Sequence, residues 1–109
     1  MKIKHISRRF NVGVKNDIKI KHIKNIYLNS NEQITFISKK NREYDFVKKN
    51  WGYYATPSIN GRLKKFNFIT YLIKNKITNK KFIFVVYKEK KHLLNKYLKK
   101  EKLKIISLL

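Results

Sequence analysis

Short apolar runs, alternating from residue 18 and cut by polar turns, recur along this chain, and they predict a fold built largely on β-strands. From residue 18, Ile18, Ile20 and His22 fall on one side of an extended segment, with Lys19 and Lys21 on the other. Asn29, Ser30 and Asn31 break that run, and residues 33–37 resume it as a partner strand. A turn at Lys39-Lys40-Asn41-Arg42 leads to strands over 44–47 and 51–55. Pro57 and Asn60-Gly61 then predict a loop. Residues 68–73 and 81–87 flank the polar stretch 75–80 as a hairpin.

One segment changes period. Over 89–100, Leu93, Leu94, Tyr97 and Leu98 share one helical face and predict a helix packed on the sheet. Residues 104–108 close as a short strand. The resulting fold class is α+β: a mainly antiparallel sheet with one carboxyl-terminal helix, a β-rich first half followed by β-β-α-β. With 109 residues the chain has room for one core, so 1–109 reads as a single domain with 1–16 as a flexible amino-terminal arm. Lys-Ile-Lys-His-Ile occurs at 2–6 and again at 19–23. The sequences that follow differ, so the pair reads as two similar strand starts.

Charge bears on partners. The formal net charge of +22 points toward a polyanion such as nucleic acid, with lysines on phosphates and aromatic rings on bases. Two features weigh against that reading. Only Arg8, Arg9, Arg42 and Arg62 are arginine, the side chain that grips phosphates and bases with a fork. Lysine, asparagine, isoleucine, tyrosine and phenylalanine also share A/T-rich codons, so a biased genome accounts for much of the charge. A 42% hydrophobic and 14% aromatic content argues against disorder. The absence of cysteine excludes disulfides, thiolate zinc sites and a cysteine nucleophile. No run approaches a membrane span, and the amino terminus lacks the apolar core of a secretory signal, so the cytoplasm is the default location.

Residues 51–62, WGYYATPSINGR, hold the only tryptophan, alanine and proline of the chain and two of its three glycines. Thr56, Ser58, Asn60 and Arg62 alternate with Pro57, Ile59 and Gly61, so an extended backbone would aim four hydrogen-bonding side chains to one side. Trp51, Tyr53 and Tyr54 offer a flat wall for a base or sugar ring. The stretch therefore forms a candidate anion, sugar-phosphate or nucleotide-sugar site. The competing reading is a structural corner, with Trp51 in the core and Arg62 paired to Asp45 or Glu43.

His5, His22 and His92 lack ligand spacing, so no metal site is expected. Glu43 and Asp45 share a strand face but read as ion-paired, and no nucleophile or phosphate-loop motif occurs. Neither an enzyme nor a cofactor is needed to explain the sequence. Arg8, Arg9 and Phe10 form a second candidate patch, for phosphate and a base.

The segment 31–109, with Tyr44-Asp45 and the run Trp51 to Leu63, resembles a family of small uncharacterised bacterial proteins that carry a WGYYATPSINGRL-like motif. The resemblance implies a surface-polysaccharide, sugar-phosphate setting. The expected function is a small non-enzymatic binding or accessory protein with its site at 51–62. The alternative is a basic RNA- or DNA-binding or ribosome-associated protein.

Overall fold

A computed structural model describes residues 1–109. The chain is α+β, with antiparallel strands and one long helix near the carboxyl terminus. It forms two compact units, residues 1–57 and 58–109.

The first unit contains a two-stranded ribbon and a three-stranded sheet. The ribbon pairs β1 (Lys2–Val12) with β2 (Ile18–Tyr27). Residues 1–16, expected as a flexible arm, thus lie mainly in a strand. The register skips between His5 and Arg8, where Ile6 and Ser7 both oppose Ile23 in a β-bulge. The strand start read at 2–6 is correct, and the bulge hides its continuation, because it switches the apolar residues from odd positions (Ile3) to even ones (Phe10, Val12).

The sheet has the order β3 (Gln33–Ser38), β4 (Arg42–Lys49), β5 (Gly52–Ala55). Glu32, just before β3, accepts the backbone N–H of Asn29 at 2.7 Å and the Met1 amine at 3.1 Å. These bonds hold its carboxyl below the usual carboxylate range, the Asn29 N–H first among the causes.

The second unit opens with a short helix, α1 (Arg62–Lys65), and continues through β6 (Phe68–Asn75), β7 (Lys81–Tyr87), α2 (Lys91–Lys100) and β8 (Leu103–Leu108). The sheet order is β7-β6-β8. Asn75 makes the β6–β7 turn, its side chain accepting the N–H groups of Ile77 and Thr78. The core gathers Tyr71 and Ile73 of β6, Leu94 and Leu98 of α2, and Leu103 of β8, with Ile69, Phe84 and Val86 packed against it. Leu93 and Tyr97, expected to bury with Leu94 and Leu98, are exposed. A ten-residue helix over a three-stranded sheet covers a narrow stripe, and Leu94 and Leu98, one turn apart, fill it.

Seven non-glycine residues have positive φ, and five of them are asparagine: Asn16, Asn31, Asn41, Asn67 and Asn79. Asparagine tolerates the left-handed region because its short amide bonds locally.

Candidate functional site

The stretch 51–62 divides into two structural roles. Asn50 and Trp51 form the two-residue loop of the β4–β5 hairpin, closed by the Lys49–Gly52 pair. Gly52 has φ +145°, a conformation that requires glycine. Trp51 is 68% exposed, which removes it from the core, and its ring stacks on Tyr54 at 6.1 Å between centroids.

Past β5 the pairing runs one residue further. Thr56 N–H donates to the Asp45 carbonyl at 3.0 Å, and Thr56 Oγ1 donates to Asp45 Oδ2 at 3.1 Å. Asp45 is 2% exposed, so this bond lowers the cost of burying a carboxylate. Pro57 has no N–H and ends the ladder.

In the second unit, Ser58 O accepts the N–H groups of Gly61 (3.2 Å) and Leu63 (3.1 Å), which winds the chain into α1. A Cβ on Gly61 would meet the Ser58 hydroxyl, which would have to turn aside, so glycine leaves room for that side chain. The backbone is therefore not extended over 56–62. The expected single row of Thr56, Ser58, Asn60 and Arg62 does not form: Thr56 is bonded to Asp45, Ser58 and Asn60 lie in a turn, and Arg62 opens a helix. The alternation in sequence is overridden because Pro57 stops the strand.

What the structure does assemble is an aromatic sheet face. In β4, Tyr44, Phe46 and Lys48 point to one side, and the register sets Phe36 of β3 beside Tyr44 and Tyr53 of β5 beside Lys48. Phe46 meets Tyr44 at 5.2 Å and Phe36 at 6.2 Å between centroids, while Lys48 Nζ lies 4.8 Å from the Tyr53 ring centre. Phe36 is 55% exposed and Tyr53 63%. Burial raises the Tyr44 phenol above its ordinary range. Lys39 and Lys40 stand at the β3–β4 turn, beside one end of the platform, and Lys48 near the other.

Of the candidate residues, Tyr53 lies on this face, and Trp51 and Tyr54 stack at the hairpin tip. Phe36, Tyr44, Phe46 and Lys48 were not singled out from sequence. Their signal was the two-residue spacing of 44, 46 and 48, legible only once the neighbouring strands are in register. Arg8, Arg9 and Phe10 lie in β1. Arg8 sits over the Phe10 ring at 4.9 Å, and Arg9 and Phe10 line a shallow depression of about 320 Å³ with Lys19 and Lys21.

No family model, curated protein or solved structure matches this chain. The candidate site rests on its geometry.

Proposed function

We propose that the first unit binds single-stranded nucleic acid on the β3–β4–β5 face. The observation that carries this reading is the exposed pair Phe36 and Tyr53 on one sheet face with Phe46 between them and Lys48 against Tyr53. Exposed rings on a sheet stack unpaired bases, and flanking lysines take the phosphates. Four residues along β4 and two inter-strand steps separate Phe36 from Tyr53 by roughly 16 Å, room for two or three bases. A net charge of +22 favours a polymer of phosphates over a single one. The sugar-phosphate reading of 51–62 has less support, because the backbone turns at 58–61 and enters α1 at Arg62 instead of running extended.

Fluorescence anisotropy with oligothymidylate, a duplex of equal length, a mononucleotide and a nucleotide sugar tests the proposal. Binding should grow with strand length and favour the single strand. With Lys39, Lys40 and Lys48 as phosphate contacts, log K should fall with log salt at a slope of roughly −2. A mononucleotide or nucleotide sugar that binds as tightly as the oligomer would replace this reading with a small-ligand site.

A further inference from the structure

The β1–β2 ribbon sorts its side chains onto two unlike faces. Its register pairs Ile3 with Ile26, Phe10 with Ile20 and Val12 with Ile18, and the bulge keeps all six on one side despite the change of phase in β1; the pairs His5–Lys24 and Arg8–His22 lie between them on that side. Five of the six apolar residues are exposed, and β1 and β2 pack chiefly on each other. The opposite side carries Lys2, Lys4, Arg9, Lys19 and Lys21, with Ile6, Ile23 and Tyr27 as its large apolar members. A two-stranded ribbon is marginal in water, so an uncovered apolar side calls for a second layer.

We propose that this layer is the surface of an anionic lipid bilayer, on which the ribbon lies flat. A second copy of the chain fits poorly, since each copy carries +22. Lysines along both strands also discourage edge-to-edge pairing. An anionic bilayer supplies an apolar layer and opposite charge together. The arrangement resembles that of interfacial amphipathic segments: six large apolar side chains gather on one face, where Arg8 and Lys24 are long enough to reach the headgroups, and lysine and arginine dominate the other. An apolar face sunk about 5–10 Å leaves the cationic face of a ribbon about 10 Å thick level with the headgroups. Arg8, whose guanidinium lies over Phe10, can extend along that ring to reach a phosphate. The strongly charged second face keeps the ribbon on the membrane surface and out of its interior.

Co-sedimentation of the full chain with vesicles tests this inference. The chain should bind phosphatidylcholine and phosphatidylglycerol mixed at roughly three to one, where each lysine near the surface adds about fivefold to affinity, and bind pure phosphatidylcholine weakly. Phe10→Asn combined with Ile20→Asn should lower binding about tenfold or more. Undiminished binding by that variant would reduce the effect to charge adhesion and overturn the inference, as would absence of binding by the unaltered chain. Should the double variant misfold, Phe10→Trp in a Trp51→Phe background decides: emission should shift to the blue on mixed vesicles, and unshifted emission from bound protein overturns the inference. A dimer in the absence of lipid that Ile20→Asn dissociates would assign the apolar face to a second copy.

Discussion

Replacing Tyr53 by alanine separates binding from folding more sharply than any other single change in this chain. Tyr53 is 63% exposed on the outer strand of its sheet, so truncation removes little burial. What it loses in the free protein is a cross-strand pair with Lys48, worth about 0.2–1 kcal/mol, and a cation–π contact worth about 0.5–1 kcal/mol at an exposed site. These describe one interaction and do not add, so the stability cost should stay near 1 kcal/mol or below. A base stacked on the ring contributes about 1–3 kcal/mol, which converts to roughly 5- to 160-fold in Kd. Anisotropy at physiological ionic strength, beside a thermal melt, reads both numbers. Tyr53→Phe keeps the ring and should retain most of the affinity. If Tyr53→Ala binds oligothymidylate within twofold of the unaltered chain, the sheet face is not where bases stack.

Other positions test the fold. Ile73 is fully buried among Tyr71, Leu94, Leu98 and Leu103, so Ile73→Ala should cost about 2–5 kcal/mol in urea unfolding, while Leu93→Ala, at an exposed helix position, should stay within about 0.5 kcal/mol. Thr56→Val removes a hydroxyl donor from buried Asp45 and should destabilise the chain by about 1–3 kcal/mol without changing the salt slope of oligonucleotide binding. Glu32 has a lowered pKa in the folded chain, so its contribution is present above its ordinary value of 4.5 and is lost as pH falls through the folded value. Glu32→Gln should erase that acid-side loss, and an identical acid transition in the variant would show that the Asn29 and Met1 bonds carry no stability.

Alternation and turn chemistry made most of the strands legible in sequence. Residues 81–87 coincide with β7, and 33–37, 44–47, 51–55, 68–73 and 104–108 each fall on a strand with ends shifted by a residue or two. The helix begins later than its apolar period suggests, because residues 88–90 wind as a 3-10 turn before α2. Residues 2–6 read as the start of a strand, but the rest of β1 is hidden because a bulge changes the parity of its apolar residues, a signal that looks like the loss of a pattern. The site was harder to read for a different reason. Rare residues drew attention to 51–62, where Gly52, Pro57 and Gly61 serve backbone geometry. The aromatic face is composed of common residues from three strands, and only their register unites Phe36, Phe46 and Tyr53.

The asparagines at positive φ connect this fold to the nucleotide composition behind it. Glycine is the usual residue for such turns, yet this chain holds only three glycines and places asparagine at Asn16, Asn31, Asn41, Asn67 and Asn79. Asparagine codons are A/T-rich and glycine codons G/C-rich, so a mutational drift toward A and T can exchange one for the other without altering the path of the backbone. Gly52, at φ +145°, lies outside the left-handed region that asparagine tolerates. The turns thus form two classes under codon pressure: those a genome can rewrite in asparagine, and the hairpins at Gly13, φ +99°, and Gly52, where the backbone lies beyond the region asparagine favours.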